Sequence, residues 1–408
     1  MDTIPFHLVM FALDIILGFC LFFLTRTPHK KKRTQSHLAL FPQNILPQQD
    51  ELDAPVKKLR LRALVGLALL AWVGLVGVYV IAKLFKANTG QCLAEGLTYH
   101  GSAFLVFLAV RLAGRRHFVL GGFSLILALA CFGAGFNMLV FEPNRLVVEK
   151  YTISSNKIKK PMRIVFVSDI QTDAIRSFEH RILTTVMAQN PDLIILGGDY
   201  VQCYAGAARP EQVAEAFQQL LTRVPLSAPL GVFALRGNND SIDAMKTIFL
   251  KPKINPILSS TVYDDFGADM EKGPIDLVLL TFGDSVDGVN KGVFEEAQNF
   301  RVIAGHSPSF ALGALAGKKE SGDLMLAGHT HGGQVYVPFY GYLGYGMLGM
   351  EQSKYGFPIP RDKMCGLFTF PNGDRLLVTR GAGVERGWAP RVRFMCPPEI
   401  SVIDLIPE

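Results

Sequence analysis

Asp323-Leu324-Met325-Leu326-Ala327-Gly328-His329-Thr330-His331-Gly332-Gly333-Gln334-Val335 decides how this chain is read. Its first half is a short apolar run of the kind that forms a buried strand. Its second half places two histidines at i, i+2 beside glycines, a poor way to pack a core. Neutral imidazole is a common metal ligand, and glycine lets backbone approach an ion closely. A lone His-x-His is weak evidence of a site, but this one has company.

Four other apolar runs end in the same manner. Arg163–Ser168 leads into Asp169-Ile170-Gln171, and Leu193–Leu196 into Gly197-Gly198-Asp199. Val232–Arg236 leads into Gly237-Asn238-Asn239-Asp240, and Arg301–Gly305 into His306. Sites in open α/β sheets collect at the carboxyl ends of strands. Turn chemistry alone accounts for any one junction, since Gly, Asn and Asp dominate turns; it does not account for five. Oxygen and nitrogen donors without thiolates favour Mn, Fe or Zn at a working site over a structural zinc.

The order Asp-x-x, Gly-Asp, Gly-Asn-x-Asp, His, Gly-His-x-His resembles the calcineurin-like metallophosphoesterases. The form Gly328-His329-Thr330-His331-Gly332-Gly333-Gln334-Val335, the closing Pro398-Glu399-Ile400 and the apolar leader look like their YkuE-like, membrane-anchored subgroup. The resemblance implies an α/β fold, a two-sheet sandwich flanked by helices, over residues 150–408. It implies two divalent metal ions, with Asp169, Gln171 and His331 at the first, Asn238, His306 and His329 at the second, and Asp199 bridging. The implied reaction is hydrolysis of a phosphodiester or pyrophosphate by a metal-activated hydroxide. The substrate class is a phosphate-containing small molecule or lipid.

Two positions depart from the family pattern. Gln171 stands where the family has a histidine ligand, and its amide oxygen is a weaker donor. Asn239 stands where the family has a histidine that meets the phosphate, and an amide cannot serve as a general acid near neutral pH. Asn239 and Asp240 are the expected catalytic positions, with Asp240 orienting a ligand or facing solvent from the turn. These departures keep open another class of function: a degenerate metallophosphoesterase acting as a binding or regulatory membrane protein.

The remainder of the chain reads as a membrane domain, residues 1–145. Hydrophobic residues make up 49% of the 408-residue chain, and the apolar excess lies before residue 145. About 20 apolar residues cross a bilayer. Stretches near 6–25, 63–82, 97–113 and 118–140 are expected to span, with a basic cytoplasmic linker over 26–62. Clusters at Arg26–Arg33, Lys57–Arg62 and Arg111–Arg116 all fall on one side only if there are four spans. The positive-inside rule then puts the catalytic domain outside the cytoplasmic membrane. The +6 net charge comes largely from these loops, so it gives no reason to expect nucleic acid as a partner, and the apolar spans make the lipid bilayer the expected one. Gly114-Arg115-Arg116-His117-Phe118-Val119 resembles a twin-arginine export motif, although two arginines at a helix end also satisfy the charge rule. An oxidising compartment permits a Cys365–Cys396 bond.

From residue 151 the pattern alternates strands and helices. Helices are expected over Ser177–Gln189 and Pro210–Arg223, a hairpin over Cys365–Thr379 turning at Asn372-Gly373, and a final strand at 402–406.

Overall fold

The computed structural model describes residues 89–203, 209–268, 274–287, 299–314, 322–343, 359–385 and 389–408. The expected spans near 6–25 and 63–82, and the linker 26–62, lie outside the described residues. The chain divides into two compact units, one made up essentially of Ala134–Glu408 and one lying within Thr3–Gly133.

Two apolar helices open the described part. The first, α1 (Gly90–Gly114), has 25 residues and a mean hydropathy of 1.4; the second, α2 (Phe118–Asn144), has 27 residues and a mean hydropathy of 2.1. Both are long and apolar enough to cross a bilayer. The stretch expected at 97–113 is thus longer at its start: Glu95 and His100 interrupt its hydropathy but not its helix, which passes through a π-helical segment, Gly96–Gly101. The two helices form a hairpin whose turn holds Arg115 and Arg116, the latter left-handed with φ 62. A Cβ on Gly121 would lie 3.1 Å from the Ala109 carbonyl oxygen, so the helices meet backbone to backbone, and the Ser124 hydroxyl donates to the Leu105 carbonyl at 2.9 Å. Small residues permit such a close approach between apolar helices.

The strands are, in chain order, β1 (Val147–Ser155), β2 (Met162–Val167), β3 (Leu193–Leu196), β4 (Val232–Ala234), β5 (Asn255–Pro256), β6 (Thr261–Phe266), β7 (Ile275–Leu279), β8 (Phe300–Ala304), β9 (Leu324–Ala327), β10 (Tyr336–Val337), β11 (Gly341–Tyr342), β12 (Gly366–Thr369), β13 (Arg375–Val378) and β14 (Glu399–Pro407). They build two six-stranded sheets, in the orders β1-β14-β2-β3-β4-β5 and β12-β13-β9-β8-β7-β6. This is the two-sheet sandwich that the family resemblance implies, and its α/β character is what the strand–helix alternation predicts. Helices α3 (Ser177–Met187), α4 (Pro210–Arg223) and α5 (Ile242–Phe249) flank the first sheet.

Alternation along β2 and β3 decides the layers. Ile164, Phe166, Leu193 and Ile195 point between the sheets, against Leu277, Leu279, Val302, Leu324 and Leu326. Val165, Val167, Ile194 and Leu196 point outward, onto Ile182, Val186, Val213, Phe217 and Met245. The outer face of the second sheet packs Val278, Ile303, Met325 and Val378 around Phe310. Both faces of the central strands are covered, which is why they read as unbroken apolar runs.

The hairpin forms as expected, β12 against β13 in antiparallel register around Asn372 and Gly373. The expected helix from Ser177 ends two residues early, at Met187, before the turn residue Asn190. The final strand is longer than 402–406, and the folded region begins with β1 at Val147 rather than at 150. Cys365 and Cys396 are free thiols. The Cys396 sulfur is buried against the carbonyls of His331 and Gly332, 3.5 Å from each.

Candidate metal centre

Strands β2, β3 and β4 run parallel, as do β8, β9 and β13, so their carboxyl ends gather at one edge of the sandwich. Asp169, Asp199, Asn238, His306 and the His329–His331 pair follow these ends directly. The loops continue the backbone pairing beyond the strands. Asp169 N–H donates to Gly198 O at 2.9 Å, Gln171 N–H to Asp199 O at 2.8 Å, and Gly328 N–H to His306 O at 2.9 Å.

That pairing demands unusual backbone. Asp169, Gln171, Asp199, His329 and His331 all have positive φ, between 42 and 70. Each such non-glycine residue costs about 1–3 kcal/mol and persists where the surroundings over-determine it, commonly at functional sites. Glycine is required at Gly198, with φ +98, where a Cβ would stand 2.6 Å from the Gly237 nitrogen.

One ligand atom each from Asp169, Asp199 and His306 lie within 4.8 Å of one another, and all three residues are buried. His306 Nδ1 meets the Gly197 carbonyl at 2.7 Å, which fixes the ring and turns Nε2 inward. There Nε2 lies 3.1 Å from Asn238 Oδ1, 3.5 Å from Asp199 Oδ2 and 4.0 Å from Asp169 Oδ1. The His329 ring packs edge-on against His306, centroids 5.1 Å apart. On the other side, His331 Nε2 is 3.5 Å from Asp169 Oδ1. Asp199 therefore lies beside the His306 group, and Asp169 is shared with His331.

Electrostatics follow from burial. Burial pushes Asp169 up to about 6 against the pull of His306, with Asp199 adding to the rise. Burial acts on Asp199 too, but His306 prevails and holds it well below the usual carboxylate range. His306 is raised to about 10: burial opposes its charge, and Asp199 outweighs burial. Burial and the neighbouring His306 bring His329 down to about 3, and burial with Arg393 drives His331 well below its ordinary value. His329 and His331 are thus in the neutral form that binds metal, and His306 would give up its proton to a cation that takes its place beside Asp199.

The donor set passes a further test of fit. Asp169 Oδ1 and both ring nitrogens of His331 are buried without a hydrogen-bond partner. Leaving a buried polar atom unmade costs roughly 1–3 kcal/mol. A cation among carboxylates and neutral imidazoles removes that penalty, so these residues fit divalent metal.

The two departures and their neighbours behave distinctly. Gln171 presents its amide nitrogen to Asp199 Oδ2 and to Glu385 Oε2, 3.0 Å from each. Asn239 donates twice to Asp199, from the side chain to Oδ2 at 2.6 Å and from the backbone to Oδ1 at 2.8 Å. Asp240 is buried and faces backbone, not solvent. It accepts from the N–H groups of Asp199 (2.6 Å), Gly237 (2.9 Å) and Tyr200 (3.0 Å). Burial and Asp199 push its carboxyl up to about 7.

Two residues of the site, Glu385 and Arg393, escape the strand-end pattern. Glu385 accepts from the Gln202 amide at 2.7 Å, and its backbone is held by Gln334 at 2.8 Å. The signal of Glu385 is weak because residues 379–384 separate it from β13. Arg393 is fully buried and donates to the carbonyls of Arg380, Gly381, Gly383 and Cys396. The loop it gathers clamps the Asp169 loop, with Ala382 N–H on Ser168 O and Gly383 N–H on Asp169 O, both at 2.8 Å. Arg386 and Trp388, which follow Glu385 in sequence, lie outside the described residues. So do Gly344–Gly346; the residues just before them form the β10–β11 hairpin, with Phe339 and Tyr340 exposed.

Residues 162–333 match the family model of the calcineurin-like phosphoesterases. The UDP-2,3-diacylglucosamine pyrophosphatase LpxG of Chlamydia trachomatis is 26% identical over 316 residues, covering 64% of this chain and 90% of that protein. The phosphodiesterase YaeI of Escherichia coli is 28% identical over 250 residues, covering 60% and 83%. The uncharacterized metallophosphoesterase YkuE of Bacillus subtilis is 27% identical over 311 residues, covering 71% and 97%. The matched segment starts with β2 and ends just past His331, so it takes in the strand ends that supply Asp169, Asp199, Asn238, His306 and the His329–His331 pair, and the chain carries a calcineurin-like phosphoesterase domain.

Proposed function

We propose that the protein is a membrane-anchored phosphoesterase with a dinuclear metal centre that cleaves a pyrophosphate or phosphodiester bond in a lipid-linked substrate. The convergence of Asp169, Asp199 and His306 within 4.8 Å, with His331 alongside, carries the metal part of this reading. Asp169 and His331, with Gln171 beside them, would hold one ion; Asn238, His306 and His329 would hold the other; Asp199 would bridge. Two divalent ions, Mn, Fe or Zn, would supply an activated water and neutralise charge on the phosphoryl oxygens.

The chain's own residues set the rest. Asp240 is a positioning residue: it grips the backbone N–H of Asp199 and Gly237 and so fixes the bridge against the Asn238 loop. His306 holds its ligand nitrogen inward through Gly197. Asn239 stands at the edge of the site without a transferable proton. A leaving group that needs no protonation, such as the phosphate of an anhydride, suits that arrangement, and the pyrophosphatase name of the Chlamydia trachomatis relative agrees with it.

Two apolar helices ahead of the domain support the anchor. A site tethered to a bilayer meets lipids at high effective concentration. The full chain in detergent with Mn2+ should hydrolyse a UDP-linked diacylated sugar and bis(p-nitrophenyl) phosphate, and leave alkyl monoesters nearly untouched. No turnover of any of these by metal-loaded, folded protein would favour the binding or regulatory alternative.

The anchor is read as four-span, with the domain outside the cytoplasm. Alkaline phosphatase fused after Glu408 should then be active and a fusion at Gln48 inactive. The opposite pattern would reverse the orientation.

A further inference from the structure

We infer that Glu385 is a metal ligand of this centre, taking the place left by the imidazole that Gln171 lacks. The inference rests on the dinuclear reading above. Glu385 is 6% exposed and follows the Arg393-bound loop that clamps Asp169. Its Oε2 lies 3.9 Å from His331 Nε2, and Asp169 Oδ1 lies 3.5 Å from that same nitrogen. These separations are too long for hydrogen bonds. Metal bonds of about 2.0–2.2 Å place two ligand atoms on one ion roughly 3.0–4.2 Å apart, and both distances fall in that interval. His331 itself is buried with both ring nitrogens lacking a hydrogen-bond partner.

Gln171 reports the same point from another direction. Its amide N–H2 is 3.0 Å from Asp199 Oδ2 and 3.0 Å from Glu385 Oε2. The oxygen of the bridging position and the oxygen of Glu385 thus converge on one donor. Glu385 is built to stay there: Gln202 holds Oε1 at 2.7 Å, which leaves Oε2 directed inward, and Gln334 holds its backbone at 2.8 Å. Gln171 is then an orienting residue between two carboxylates, and the first ion sees Asp169, Asp199, Glu385 and His331.

The exchange of imidazole for carboxylate has a chemical consequence. A site with three carboxylates and one imidazole is harder than one with a second imidazole, and harder donors suit Mn2+ over Zn2+.

The test counts ions in the full chain by dialysis against Mn2+ or Zn2+ and elemental analysis, with Mn2+ titration followed by electron paramagnetic resonance. The parent should hold two Mn2+. Glu385→Gln should weaken one of the two by roughly 1,000-fold or more, beyond the roughly 10–100-fold range typical of residues that merely support a ligand. Gln171→His in that background should restore the second ion and shift its preference toward Zn2+. Glu385→Gln holding two Mn2+ at the parent's affinity would overturn the assignment. A parent that holds one ion, lost on Glu385→Gln, would uphold Glu385 and overturn the dinuclear reading instead. A parent that holds none would overturn both.

Discussion

Hydrolysis by an Asp199→Asn variant should fall by roughly 10³-fold or more, the equivalent of the several kcal/mol that metal clamping contributes to a phosphoryl transition state. The geometry gives two reasons. The carboxylate is the acceptor on which His306, Asn239 and Gln171 converge, at 3.5, 2.6 and 3.0 Å from Oδ2. Asparagine would keep one acceptor oxygen and set its own N–H2 against one of those donors, so neither a bridge nor the present network survives. Single-turnover hydrolysis and metal content, measured on variant and parent with matched thermal unfolding, would check this. Turnover within tenfold of the parent would refute Asp199 as the bridge.

The second large effect concerns the leaving group. Asn239 spends its side-chain donor on Asp199 at 2.6 Å, and an amide has no proton to give. The parent's rate should therefore fall steeply as the leaving group becomes more basic, from anhydride and aryl ester to alkyl monoester. Asn239→His should narrow that gap by up to roughly 10²–10⁴-fold, the usual contribution of general acid catalysis. Gln171→His should leave the ranking of substrates alone, because it alters an ion and not a proton. A leaving-group series on all three proteins at saturating metal separates these effects. A parent that cleaves alkyl monoesters as readily as aryl diesters would show that another residue supplies the acid.

Much of this was legible because each ligand follows directly on an apolar run. A strand buried on both faces cannot end in Asp or His without a reason, so five junctions pointed to one edge. The hairpin at Asn372-Gly373 and helix α4 were equally plain, one from turn chemistry and one from its 3.6-residue period. Glu385 was hidden because what matters is where its loop folds back. Arg393 would pass for a surface charge; it is buried because five backbone carbonyl contacts replace water for it. Strand β1 was missed for a different reason. Its alternation, Glu149-Lys150-Tyr151-Thr152, looks solvent-facing, and its pairing partner lies at the far end of the sequence. Positive φ at Asp169 and His331 leaves no trace in composition, since sequence reading expects glycine or asparagine there.

The position of β14 bears on how the molecule is made. This strand lies between β1 and β2, pairing Val147 with Glu399 on one side and Phe166 with Ser401 on the other. During synthesis β1 emerges right after the apolar helix α2 and then has nothing to bind until residues 399–407 leave the ribosome. Contacts so distant in sequence form slowly, and an unpaired strand invites other strands to add to it. The first strand of the sandwich is therefore the last to be locked. A ribosome stalled before Glu399 would leave a nascent chain with its central strands formed and its β1 edge still open.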